Sequence, residues 1–153
     1  MDKSVLIEYA DMKEEIKDLR RRIEKNQREL DKLNKMVVTD SVTCGKKGRK
    51  PIRTVKIQGK PTMAITQKQN ALERNIKKLE RLEMELLELT NQAEEYIQTI
   101  DKSELRIMFR LYYIDDLSWI QVAHKMNEMF PKRKKKYTED SCRMKNNRFF
   151  KKI

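Results

Sequence analysis

The sequence predicts a mainly α-helical protein: a long antiparallel coiled-coil hairpin with a small β-hairpin insert, followed by a C-terminal three-helix module. Three observations support this fold class. Two long segments repeat apolar residues with helical spacing, a short segment between them holds every glycine of the chain, and the last third contains three short amphipathic stretches. Because only 38% of the residues are apolar and 39% are charged, long helices with narrow apolar stripes fit the composition better than one thick core.

The first long segment has a heptad pattern. The a and d positions of this pattern are occupied by Tyr9, Met12, Ile16, Leu19, Ile23, Asn26, Leu30, Leu33 and Val37. Such a repeat predicts a coiled-coil seam. Asn26 interrupts the apolar seam, and a buried Asn in a coiled coil can fix register or partner number. The alternative reading, with equal weight, is that Asn26 merely faces water.

The second long segment, about residues 64–100, carries an apolar stripe at three- and four-residue steps, from Leu72 to Ile100. The similar lengths of the two segments favour an antiparallel pair with the β-hairpin at its distal tip. Two helices alone would cover both stripes poorly, so residues 1–100 are expected to form an oligomerisation stalk, most simply in a homodimer. The expected oligomerisation residues are Ile16, Leu19, Ile23, Asn26, Leu30, Leu33, Leu79 and Leu86.

Residues 38–62 separate the two predicted helices. This segment has two of the three prolines, and β-branched runs with alternating polarity flank a glycine-rich basic stretch, which predicts a β-hairpin with a basic tip. A lone hairpin is marginal in water, so it should pack on the helix ends or on another chain. The basic residues at the tip are a possible secondary DNA contact. Alternatively, they bind an acidic partner, or they keep the turn soluble. They are Lys46, Lys47, Arg49 and Lys50.

Residues 101–153 predict a separate module of three short helices, at about 103–114, 118–129 and from Thr138 onwards. Asp101 or Ser103 is expected to cap the first helix, and Ser118 and Thr138 suit the N-caps of the other two. Trp119 is expected to anchor the module core. This layout is typical of a helix-turn-helix DNA-binding domain.

The charge distribution indicates a polyanionic partner. The chain carries a formal net charge of +12, concentrated in the hairpin and the C-terminal module, which points to nucleic acid or an anionic membrane surface. Arg and Asn on the outer side of the last helix suit guanine and adenine edges, while Ser and Lys commonly hold phosphates. The alternative is a solvated basic helix that ends a domain. The candidate DNA-binding residues are Ser141, Arg143, Lys145, Asn147 and Arg148, with the basic run Lys132, Arg133, Lys134, Lys135 and Lys136 before them.

Other classes of protein find little support. The sequence has no apolar run long enough to span a membrane and no signal-peptide pattern, so a cytoplasmic protein without a membrane partner is expected. Cys44 and Cys142 are then expected to be reduced, and together with His124, the one histidine of the chain, they are too few for an ordinary zinc site. No catalytic arrangement stands out, so neither an enzyme nor a cofactor is expected.

The C-terminal segment resembles a known group of proteins. Arg110-Leu-Tyr-Tyr-Ile-Asp-Asp-Leu-Ser-Trp-Ile-Gln-Val-Ala and Thr138-Glu-Asp-Ser-Cys-Arg-Met-Lys-Asn-Asn-Arg-Phe-Phe resemble small phage and prophage regulators of Gram-positive bacteria, in particular late-gene transcription activators. These have a module similar to the fourth region of sigma-70 family factors. The segment Asp40-Ser-Val-Thr-Cys-Gly-Lys-Lys-Gly is similar to proteins of the same group.

The resemblance implies a DNA-binding transcriptional regulator. The helix that begins at Thr138 would be its recognition helix, and RNA polymerase would be a further partner. One departure is the connection from Met126 to Thr138, which is longer and more basic than the tight turn of sigma-type modules. Two alternatives remain open. Small terminase subunits of phages also join a helix-turn-helix to a coiled coil but recognise packaging sites, and a structural adaptor would use its basic ends to bind an acidic protein.

Overall fold

The computed structural model describes residues 2–44 and 53–151, and it confirms the predicted fold class. A helix α1 (Ser4–Lys35) is followed by an antiparallel hairpin of β1 (Val38–Cys44) and β2 (Arg53–Gly59), and then by a long helix α2 (Thr62–Gln98). Three shorter helices complete the chain: α3 (Ser103–Phe109), α4 (Trp119–Met129) and α5 (Glu139–Lys151). A π-helical turn, Arg110–Ile114, continues α3. The basic hairpin tip, with Lys46, Lys47, Arg49 and Lys50, lies outside the described residues.

The β-hairpin is exposed on both faces over its described side chains. Val38 pairs with Gly59 and Val42 with Val55, as expected for two β-branched runs. The side chains of residues 38–41 and 55–60 are all exposed, including Ile57 at 52%. The predicted packing of the hairpin on the helix ends is therefore wrong for these residues. Packing on another chain stays a prediction.

One compact unit comprises residues 16–81. Its apolar cluster joins Leu30 of α1 to Ile65 and Leu72 of α2. Beside this cluster, the ammonium of Lys68 donates to the amide oxygen of Asn26 at 3.4 Å and forms an ion pair with Glu29. Asn26 therefore has a partner within its own chain, and it neither stands alone in an apolar seam nor simply faces water.

The second compact unit comprises the first 15 residues and the chain from residue 82 onwards. Its core combines side chains from both ends of the chain, because α1 and α2 contribute alongside the three short helices. The fully buried members are Leu6, Ala93, Ile97, Met108, Phe109, Val122, Met126 and Cys142. The expected domain boundary at residue 100 remains a prediction about independent folding, whereas the packing places residues on both sides of that boundary in one core.

Phe109, and not Trp119, is the central aromatic residue of this unit. The Phe109 ring is fully buried and lies 4.9 Å from the Phe149 ring and 5.9 Å from the Tyr113 ring, in edge-to-face arrangements. Trp119 is half-buried and stacks on Tyr112 at 3.8 Å. The prediction that Trp119 anchors the core is wrong because this residue begins α4, where its indole covers the edge of the core rather than filling it.

A side-chain cap fixes the start of α4, whereas α3 begins without one. Ser118 caps α4 in a capping box with Gln121, as Ser118 was predicted to do. At α3, the predicted caps Asp101 and Ser103 are wrong, because Lys102 occupies the N-cap and makes no side-chain bond there. The Arg106 guanidinium instead donates back to the carbonyl groups of Ile100 and Asp101.

Candidate nucleic-acid interface

Helix α5 is fixed at its start by a reciprocal cap. The Thr138 hydroxyl accepts from the Ser141 backbone N–H at 3.2 Å, and the Ser141 hydroxyl accepts from the Thr138 backbone N–H at 2.9 Å. The Ser141 hydroxyl also donates to the Thr138 carbonyl oxygen. Ser141 was predicted to contact DNA, but this hydroxyl is engaged in the cap.

The inner side of α5 is held by the core. Cys142 is fully buried, which raises the pKa of its thiol. One turn later, the amide oxygen of Asn146 accepts a hydrogen bond from the Tyr113 hydroxyl at 2.9 Å. These contacts fix the rotation of α5 about its own axis, so they decide which side chains reach solvent.

Asn127 of α4 holds the end of the long basic connection between α4 and α5. The side-chain amide of Asn127 donates to the Tyr137 carbonyl oxygen at 2.9 Å, and its oxygen accepts from the Tyr137 backbone N–H at 2.7 Å. The Tyr137 ring is buried and lies 6.2 Å from the Phe130 ring. These bonds give the connection a defined path.

Glu104 of α3 forms ion pairs with two of the residues that were predicted to contact DNA. Its carboxylate forms ion pairs with Arg133, at 2.9 Å, and with Lys145. The cationic groups of the same two residues lie 4.5 Å and 4.9 Å from the centre of the Tyr137 ring. Burial alone would raise the pKa of the Glu104 carboxyl, but hydrogen bonds from Lys145, Arg133 and Tyr137 outweigh burial and lower this pKa to about 2.

A groove runs between the connection and α5. It brings together five of the predicted basic residues, which are Arg133, Lys135, Lys136, Lys145 and Arg148. Tyr137, Ser141 and Met144 complete its lining. No acidic side chain among the described residues lines this groove, so its surface is suited to an anion.

The outer face of α5 carries the remaining candidates. Asn147 is exposed, and Met144 is 50% exposed although sequence reasoning assigned it no role in the site. Arg143 is exposed and pairs with Asp140 one turn earlier at 2.7 Å. Lys132 and Lys134 are exposed on the connection. This face therefore presents polar, apolar and cationic groups next to the basic groove.

The predicted oligomerisation residues are largely covered within one chain. Ile16, Leu19 and Leu30 are buried, whereas the others are half-buried, namely Ile23, Asn26, Leu33, Leu79 and Leu86. Self-association stays a prediction. Other apolar side chains of the described residues are more exposed than these eight. Met84 and Leu87 of α2 are 76% and 68% exposed.

Sequence reasoning missed three residues that shape the candidate interface: Glu104, Asn127 and Tyr137. Each acts through a partner that is distant in the sequence or lies across the connection, and no motif marks such a pairing. The position of Tyr137 just before the Thr138 cap was the one available signal, because a large apolar residue at this place often fixes the path of the chain into a helix.

Metal sites and membrane spans are absent from the described part of the chain. Residues 2–44 and 53–151 contain no group of His, Cys, Asp and Glu side chains that could hold a metal ion. His124 is exposed and lies 3.3 Å from Glu128 on the same helix. Within the same ranges, none of the helices combines the length and the apolar character needed to cross a bilayer.

Comparison with family models, curated proteins and solved structures finds no match to this chain.

Proposed function

We propose that this chain is a sequence-specific double-stranded DNA-binding protein that regulates the transcription of phage or prophage genes and acts as an oligomer. One observation carries the proposal: a groove lined by five basic side chains lies directly beside the exposed outer face of α5, the helix that ends the three-helix module. Phosphate contacts set the position of a protein on DNA, whereas contacts to base edges set its specificity. A basic groove beside an exposed helix face is the arrangement that such a division of contacts needs, and it supports the proposal.

The outer face of α5 has the chemistry for base contacts. Asn147 suits an adenine edge, Arg143 suits a guanine edge, and Met144 offers an apolar contact to a thymine methyl group. The ion pair between Arg143 and Asp140 is exposed, and an exposed ion pair contributes little stability in water. Arg143 can therefore release Asp140 and bind a nucleobase instead. The major groove of B-DNA admits a helix in this way.

An oligomer would present two such modules to two half-sites. For a dimer with one module on each half-site, the spacing would be about one helical turn of DNA, or a multiple of that length. RNA polymerase is the further partner that a regulator with this role implies.

Selection from a random duplex library tests sequence-specific binding by the full chain. We expect the library to converge on one motif. Asn147→Ala should relax this motif at one position, with a loss of roughly 1–3 kcal/mol on the selected site. The matched control is Asn91→Ala, which removes an exposed amide from α2. Failure of the library to converge, or equal effects of the two variants, would overturn the proposed base reading.

Mapping of the bound DNA in cells, together with light scattering, separates this function from its two alternatives. Binding at promoters by a dimer supports transcription regulation. Binding at a packaging site by a ring of many subunits supports a small terminase subunit, and the absence of any DNA binding supports an adaptor for an acidic protein.

A further inference from the structure

The five basic residues of the groove divide into two groups, according to whether an acidic side chain neutralises their charge. Arg133 and Lys145 are both paired with Glu104. The other three basic residues are Lys135, Lys136 and Arg148. Among the described residues, no carboxylate lies within ion-pair distance of any of these three. Lys136 donates to the Pro131 carbonyl oxygen at 3.3 Å, which orients its ammonium but does not neutralise the charge.

The three unneutralised cations come from two elements that are already held together. Tyr137 follows Lys135 and Lys136 directly, and Asn127 fixes the backbone of Tyr137 from both sides. Arg148 projects from α5, which the Thr138–Ser141 cap and the buried Cys142 hold in place. Because contacts within the chain hold the groove in place, binding an anion there costs little ordering of the chain.

From this arrangement we infer that one phosphodiester strand of duplex DNA lies along the groove and is bound by Lys135, Lys136 and Arg148. Arg133 and Lys145 are positioning residues in this arrangement: their charges are directed to Glu104, and they hold the connection against α5. This inference rests on the proposed DNA binding and narrows the ten basic and polar candidates of the sequence to three phosphate contacts in the groove.

The salt dependence of binding by the full chain tests this division. Each neutralised phosphate of B-DNA contributes roughly −0.9 to the slope of log affinity against log salt concentration. We therefore expect Lys135→Ala, Lys136→Ala and Arg148→Ala each to flatten the slope by about 1 for a mixed-sequence duplex. Two exposed basic residues outside the groove provide charge-matched controls. Lys32→Ala on α1 and Arg74→Ala on α2 should leave the slope unchanged.

Arg133→Ala and Lys145→Ala give the opposite signature. Both should lower the midpoint of thermal unfolding, and at a temperature where each variant is folded both should keep the slope of the unaltered chain. If these two variants flatten the slope as much as the first three do, or if the first three behave like the controls, the division is wrong although DNA binding stands. If the unaltered chain binds no duplex, the proposed function fails, and this inference fails with it.

Discussion

The ammonium of Lys13 lies 2.5 Å from the carboxylate of Asp116 and donates a second bond, of 3.0 Å, to the Tyr113 carbonyl oxygen. Lys13 belongs to α1, whereas Asp116 lies in the turn between α3 and α4, where its φ angle of 56° places the backbone in the left-handed region. The start of α1 is thus tied to the module that carries the candidate interface. Lys3 also links the start of α1 to the module. The Lys3 ammonium donates a hydrogen bond of 3.0 Å to the Phe150 carbonyl oxygen of α5.

Lys13→Met should destabilise the full chain, because it removes both polar contacts while it keeps most of the aliphatic stem. The Lys13 side chain is 12% exposed and its partner Asp116 is 55% exposed, so we expect a cost at the lower end of charged hydrogen bonds, about 1–2 kcal/mol. Urea unfolding would measure this, with Lys32→Met on the exposed side of α1 as the control. Equal unfolding midpoints for the two variants would contradict a role of Lys13 in holding the turn.

A fragment of residues 101–153 should not fold as the full chain does. The core that surrounds Phe109 includes Leu6, Tyr9, Ala93 and Ile97, and the fragment lacks all four of these residues. Since a small domain is marginally stable, the loss of so many buried contacts should leave a loosely packed chain. Amide chemical-shift dispersion measures this. A well-dispersed spectrum with cooperative unfolding would show that the module folds independently, as the predicted boundary at residue 100 requires.

Local sequence predicted the elements of this protein well, and it predicted their contacts poorly. Helical spacing, the capping residues Ser118 and Thr138 and the glycine-rich insert are local signals, and they place the helices and the hairpin near their observed bounds. The pairing of Glu104 with Lys145 spans 41 residues and depends on how α3 and α5 pack, so no local signal contains it. For the same reason, Lys145 could be predicted as a basic residue of α5 but not as half of an internal ion pair.

Phe109→Ala should cost far more stability than Trp119→Ala. Phe109 is fully buried among aromatic rings, and removal of such a side chain leaves a cavity at a cost of roughly 3–5 kcal/mol. Trp119 is half-buried at the edge of the core, so solvent can reach the space it leaves, and its loss should cost less. Thermal or urea unfolding of the two full-length variants gives the comparison. If Trp119→Ala proves the more damaging change, then Trp119 is the anchor after all.

Glu104→Gln should change how the stability of the full chain depends on pH. The pKa of the Glu104 carboxyl is lowered to about 2 in the folded chain, whereas an unfolded Glu titrates near pH 4.3, so the folded state binds the proton less readily. The stabilisation by Glu104 is therefore fully present above about pH 4.3 and is lost as the pH falls towards 2.

The glutamine of this variant keeps the size of the Glu104 side chain but carries no charge at any pH. At pH 7 we expect Glu104→Gln to be less stable than the unaltered chain by roughly 1.5–3 kcal/mol, the range for hydrogen bonds to a charged group. This difference should shrink between about pH 4.3 and pH 2 as the glutamate takes up its proton. Glu73→Gln, on the exposed side of α2, is the matched control. A stability difference between the unaltered chain and Glu104→Gln that stays constant over this pH range would contradict the ion pairs with Arg133 and Lys145, because only the charged carboxylate can form them.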